Sequence, residues 1–198
     1  EHGTAYIVMD FVQGRTLDKY VSQHGGRLSY ADALALLSPL MCQLDAIHAM
    51  DIIHRDISPD NIIVRNDGRP VLIDFGAARF FAIPHTAEDR KPQGSIARLT
   101  ATMKYGYTPL EQISSKGKQG PWTDVYSMAA TFYAVICGQT PPPAADLLNQ
   151  DERLKPPSEI NPQLTPAQDA ALLKGLALRA NDRYQTMKEL DSALHHAL

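Results

Sequence analysis

His54-Arg55-Asp56-Ile57-Ser58-Pro59-Asp60-Asn61, followed after a short gap by Asp74-Phe75-Gly76, is the part of this 198-residue chain whose reading decides the fold. Taken singly, Asp, Asn and Gly are ordinary loop residues. Taken together they are not: with each residue type near one in twenty, the seven positions of His-Arg-Asp, Asn and Asp-Phe-Gly arise at this spacing by chance at roughly 10⁻⁹ per start site. Between the two pieces lie the apolar runs Ile62 to Val64 and Pro70 to Ile73, separated by Asn66-Asp67-Gly68. The Asp-Gly step predicts a small β-hairpin.

Upstream, Ser29-Tyr30-Ala31-Asp32 has a capping-box pattern and leads into Leu34, Leu37, Leu40, Met41, Leu44, Ile47 and His48 at three- and four-residue steps. That periodicity predicts a long amphipathic helix ending near Met50. Further back, Ala5 to Val12 is a β-branched and aromatic run that predicts a strand, and a short helix is expected from Thr16 to Gln23, closed by Gly25-Gly26. Downstream, from Ala77 to about Thr123, periodicity fades. An irregular stretch of that length in a compact domain points to function or disorder. The final third predicts a buried helix from Thr123 to Cys137, then a proline-rich connection (Pro141 to Pro143, Pro156-Pro157) and two further helices. Thr165-Pro166-Ala167-Gln168 and Thr186 with Glu189 supply their N-terminal signals.

Composition sets outer bounds. The chain is 44% apolar and 21% charged with a net charge of −3, which is enough for a real core and lacks the basic footprint of a nucleic-acid or anionic-membrane binder. No nucleic-acid partner is expected. Val125 to Cys137 is interrupted by Ser127 and Thr131 and falls short of the ~20 residues that span a bilayer. Cys42 and Cys137 show no metal or redox spacing, so both are expected as small core residues in a reducing, cytoplasmic compartment. The remaining histidines, including His195 and His196, read as solvated, and His48 as helix packing.

The two decisive stretches resemble the catalytic loop and the magnesium-binding triplet of the protein kinase family. The resemblance implies a mainly α fold: a kinase large lobe with a short hinge strand and a small β-hairpin, lacking the small N-terminal lobe. It divides the chain into a hinge strand (1–14), catalytic loop and metal-binding hairpin (52–76), activation segment (77–111) and helical subdomain (123–198). It also implies ATP and Mg²⁺ as cofactors. Phosphoryl transfer needs an acceptor oxygen held in line with a γ-phosphate whose charge is spread by metal ions. By resemblance Asp56 accepts the hydroxyl proton, and Asn61 and Asp74 hold magnesium, a hard cation suited to oxygen ligands.

The resemblance continues outward. Tyr6 to Gly14 is similar to the kinase hinge strand, which implies that Met9 guards the back pocket and that Asp10 and Val12 offer backbone groups to adenine. Ile63 is then expected beneath the adenine ring and Ile73 just before the metal Asp. Tyr107-Thr108-Pro109-Leu110-Glu111 resembles the closing part of the activation segment, Thr123 to Ser127 the start of the central helix, and Asn181-Asp182-Arg183-Tyr184 the late arginine motif. Glu111 is expected to pair with Arg183 and Asp124 to brace the catalytic-loop backbone, structural roles shared with His54.

Three departures matter. Ser/Thr protein kinases usually carry Lys two residues after the catalytic Asp, where this chain has Ser58. The register of Tyr107 and Glu111 puts Lys104 where the family usually has a Thr facing that Lys. A swap is therefore expected, with Lys104 supplying the cation from the activation segment. Arg55, before Asp56, is expected to gather a phosphate on Ser95, Thr100 or Thr102, which would add about −1.5 to −2 charge. Finally, no GxGxxG occurs and Lys19 is the first lysine, after the hinge. The chain thus reads as a fragment of a bacterial, eukaryotic-like Ser/Thr protein kinase, inactive alone, whose parent phosphorylates a protein Ser or Thr. The alternatives are a non-catalytic binding or oligomerisation module, self-associating through surface that a missing small lobe exposes, and a small-molecule phosphotransferase.

Overall fold

The computed structural model describes residues 10–81 and 103–198. Helix α1 (Leu17–Gln23) starts behind Thr16, and α2 (Tyr30–His48) starts behind Ser29, whose hydroxyl accepts the Asp32 amide at 3.1 Å. Such a cap is worth about 1 kcal/mol. The predicted stripe is the buried one: Leu34, Leu37, Leu40, Met41 and Leu44 are all at most 2% exposed. Cys42 falls off that stripe and is exposed, so the expectation of two core thiols holds only for Cys137. Burial raises the Cys137 thiol to about 12.

Of the strand expected over Ala5 to Val12, residues up to Met9 lie outside the described part and residues 10–12 have no regular structure. The first described strand, β1 (Gly14–Thr16), follows at once and pairs antiparallel with β3 (Ile62–Arg65), which pairs in turn with β4 (Pro70–Leu72). Gly14 is needed there, because a Cβ would meet Val64 O at 2.4 Å. A second antiparallel pair joins β2 (Ile52–Ile53) to β5 (Arg79–Phe80). The consequence is topological. Residues 54–61 run from β2 to β3, residues 73–78 run from β4 to β5, and since β3 pairs with β4 and β2 with β5, the two loops must lie side by side.

The short helix α3 (Leu110–Ile113) breaks the region expected to be irregular. Helix α4 (Pro121–Cys137) begins two residues earlier than Thr123 signals, because Gly120 is the N-cap and Pro121 takes the first helical position. It is buried nearly all round, as befits a central helix, with α2, α7 and α8 packed about it. The proline-rich connection holds two short helices, α5 (Ala144–Asn149) and α6 (Pro157–Ile160). Helices α7 (Pro166–Gly175) and α8 (Met187–His196) start where Thr165 and Thr186 predict. Tyr30 on α2 donates to Leu194 O at 2.9 Å and ties the two ends of the helical layer.

Arg183 and Glu111 meet at 2.6 Å, with side chains 0% and 9% exposed. The guanidinium also donates to Ala177 O, Leu178 O and Trp122 O, so its fork is fully occupied. Removing one partner of a buried pair leaves the other charge uncompensated. Arg183→Met is therefore expected to lower unfolding free energy by about 3–5 kcal/mol, read from the urea midpoint, whereas exposed Arg69→Met should stay within about 0.5 kcal/mol.

Candidate active site

The backbone of the 54–61 loop is positioned by one buried carboxylate. Asp124, in the first turn of α4 and 0% exposed, accepts the His54 amide on Oδ2 and the Arg55 amide on Oδ1, each at 2.8 Å. His48 at the end of α2 brings Nε2 to 2.8 Å of the same Oδ2. Sequence reading gives His48 only a packing role; its place on the apolar face of a helix that leads into the loop was the available signal. Arg55 takes a left-handed φ of 70°, uncommon outside glycine, and is held by its amide on Asp124 and its carbonyl, which accepts Gln112 Nε2 at 2.8 Å.

Beyond Arg55, the loop turns its polar groups to one place. Asn61 donates Nδ2 to both the carbonyl and Oδ2 of Asp56, at 2.8 Å each. A backbone bond just beyond the β3–β4 pair ties Asn61 to the second motif, for Ile73 donates its amide to Asn61 O at 2.9 Å. Asp74 follows, also left-handed at φ 63°, with Oδ1 accepting Gly76 N at 3.0 Å. That turn is local Asp chemistry. His54 and Phe75 pack edge to face with centroids 4.5 Å apart, which clamps the two loops together. Burial, the largest cause, holds the His54 imidazole below its ordinary range against the opposing pull of Asp124 and Asp56.

Lys104 reaches this place from a turn far along the chain, at 103–109. Its Nζ donates to Ser58 Oγ at 2.8 Å and lies 3.2 Å from Asp56 Oδ1 and 3.6 Å from Asp60 Oδ2. The approach is set by a tight turn: Lys104 N donates to Thr108 Oγ1, and the Tyr107 and Thr108 amides return to Lys104 O. Gly106 inside the turn has φ +79°, and a Cβ there would strike Pro141 O at 2.4 Å. Ser127 on α4 then donates to Tyr107 O. Asp60, 66% exposed, is an acidic neighbour that sequence reading passed over.

The expected nucleotide-side residues are placed as follows. Ile63 and Ile73 are half-buried, on β3 and just after β4; Val12 is half-buried and Asp10 exposed. Met9, Ser95, Thr100 and Thr102 lie outside the described residues. For magnesium, the donor chemistry fits. Asn61 commits its nitrogen to Asp56 and keeps its amide oxygen available, and Asp74 retains a carboxylate oxygen beyond its turn bond. Among the described residues no cluster of three or more His, Cys, Asp or Glu side chains forms a complete cage. A carboxylate and an amide suit Mg²⁺, which takes few protein ligands and fills the rest with phosphate and water.

A family model described as "Protein kinase domain" matches residues 1–190. The chain belongs to the protein kinase family. It is 33% identical over 190 residues to the serine/threonine-protein kinase PknA of Nostoc sp., covering 96% of this chain and 32% of that protein. It is 31% identical over 199 residues to a probable serine/threonine-protein kinase PknB of Corynebacterium glutamicum, covering 96% and 29%. The solved structure titled "PpkA-294 apo form" superposes with a TM-score of 0.73 at 31% identity, covering 93% of this chain and 61% of that one. The chain thus spans about a third of the length of these curated relatives. Its fold is the mainly helical kinase large lobe with a small sheet. Among the described residues no helix is long and apolar enough to cross a membrane.

His54 generates a pH prediction. Its folded pKa lies below the ordinary 6.5, so the unfolded chain binds more protons in that window. Stability contributed by neutral His54 is complete above pH ~6.5 and declines as pH falls below it. Urea midpoints measured at pH 7.5 and 5.5 should show a smaller acid loss in His54→Phe than in the parent.

Proposed function

We propose that this chain is the catalytic lobe of an ATP-dependent Ser/Thr protein kinase that transfers the γ-phosphoryl group to a protein hydroxyl. The observation that carries the reading is the convergence on Asp56: Asn61 on one carboxylate oxygen and Lys104 on the other, with Lys104 also donating to Ser58. On this reading the acceptor hydroxyl hydrogen-bonds to Asp56, which orients it in line and takes its proton as the new O–P bond forms. Lys104 provides the positive charge that a lysine at position 58 would otherwise provide. It lies close enough to follow charge onto the transferred group, where fixed cations act most strongly.

Asn61 and Asp74 would hold Mg²⁺, whose charge neutralises the phosphate oxygens. Ile63 and Ile73 would line the adenine side with Val12, Asp10 and Met9. The exposed rings of Phe11 and Phe75 (91% and 44%) support an apolar surface beside the nucleotide that a further segment or a second copy would cover. The 198 residues contain no glycine-rich phosphate loop, so the isolated chain is expected to transfer little phosphate. A cytoplasmic location, where ATP is plentiful, belongs to the same reading.

Regulation through Arg55 is supported by a buried Nε that has no hydrogen-bond partner among the described residues, and by burial and, second to it, the like charge of Arg79, which hold the Arg55 pKa below its ordinary value. A phosphate on Ser95, Thr100 or Thr102 would offer Arg55 charge-assisted hydrogen bonds. Mass spectrometry of active protein is expected to find at least one of the three phosphorylated.

Radiolabelled transfer by the full-length protein tests the main reading. Asp56→Asn is expected to reduce it at least ~100-fold, and signal surviving that change would place the chemistry elsewhere. Lys104→Ala should cut kcat by about 10²-fold while exposed Lys118→Ala leaves it unchanged. Equal small effects would reject the exchange of roles between Lys104 and Ser58.

A further inference from the structure

A leucine-lined groove lies between α5 and α7, away from the catalytic loop. Leu147, Leu154, Leu173, Leu176 and Leu178 line a cavity of about 640 Å³, with Asp151 and Glu152 at its edge. Most of these leucines are only half-buried and Leu148 next to them is 58% exposed, so apolar surface is left open at this face. Contiguous apolar surface rimmed by charge marks a place where another chain sits.

Two features identify the occupant. The first is continuity with the acceptor site. A smaller cavity of about 270 Å³, lined by Tyr105, Tyr133, Thr140 and Pro141, shares Glu152 and Arg153 with the leucine groove. Tyr105 is 73% exposed, donates to Asp146 on α5 at 3.2 Å, and directly follows Lys104, whose ammonium touches Asp56. The two adjoining cavities therefore carry the groove's surface to Tyr105, the residue next to the one that touches Asp56. The second feature is charge. In the leucine groove Arg153 is paired with Glu159 at 2.7 Å, and the other charged lining residues, Asp151 and Glu152, are acidic; the one lysine, Lys155, lines the smaller cavity instead. A lysine or arginine complements that edge, and leucine-sized side chains fill the floor.

We infer that the groove between α5 and α7 docks a segment of the protein substrate, remote from the phosphorylated residue and carrying leucine-like and basic side chains. The inference rests on the kinase reading and adds to it a class of substrate: proteins that present an acceptor hydroxyl joined to a basic, leucine-bearing segment. Docking there raises the local concentration of the acceptor at Asp56 and acts on KM, since the groove touches none of the reacting atoms.

The test uses the full-length protein and two peptides with the same acceptor serine, one continued through a Gly/Ser linker into Leu-Arg-Leu-Leu-Arg. The extended peptide is expected to show a KM lower by about tenfold or more at unchanged kcat. Leu173→Glu should abolish that gain, and so should the exposed double change Asp151→Lys with Glu152→Lys, which leaves the core alone; the short peptide's constants should not move in either. Equal KM values for the two peptides, or a gain that survives both variants, overturns the inference. So does a dimer seen by sedimentation that both variants convert to monomer, because a second copy then fills the groove. Fluorescence anisotropy of the labelled Leu-Arg segment separates the two readings. Binding that the groove variants abolish, without any phosphoryl transfer, supports the groove and defeats the kinase reading; transfer without binding does the reverse.

Discussion

A single buried carboxylate, Asp124, organises the site. It has no solvent to satisfy it, so its free energy depends on the three donors it meets: two consecutive backbone amides of the 54–61 loop and the His48 ring. Those amides are aimed correctly only if Arg55 adopts a left-handed conformation that costs about 1–3 kcal/mol. The carboxylate offsets this strain, and α4, buried nearly all round, fixes the carboxylate. Core packing is in this way converted into the direction of the Asp56 side chain one residue later.

The second organising element is topological. Two short antiparallel pairs, β3 with β4 and β2 with β5, bracket two loops and leave them no course except alongside each other. The pairs are too short to be stable alone. They gain their support from α2, against which β4 packs, and from the ring contact between His54 and Phe75. Side chains far apart in the chain thus need only short bonds to complete the site, such as Asn61 to Asp56 at 2.8 Å.

Much of this is legible from residue types alone. Asp56, Asn61 and Asp74 can be read because each supplies oxygen chemistry that few other residues can replace, at spacings dictated by the hairpin. Capped helices can be read because Ser29, Thr165 and Thr186 satisfy their own first turns. The misses share a cause. Cys42 sits in an apolar run, and only its angular position on α2 shows that it faces outward. Helices α5 and α6 are too short for periodicity to register and begin behind prolines that suggest irregular chain. At Pro121 two start signals compete, and the proline sets the boundary while Thr123 turns its hydroxyl back to the Gly120 amide. The partnership of His48 with Asp124 spans 76 positions and carries no local signature.

The address of the ammonium group at Lys104 has its own consequence. A cation on the 54–61 loop would remain beside Asp56 whatever the neighbouring segment did. Carried by the 103–109 turn, it would leave with that turn, taking with it the bond to Ser58 and the ion pairs to Asp56 and Asp60. Loss of charge and loss of shape are then one event instead of two, a mechanical interlock that leaves no half-assembled centre with its electrostatics intact.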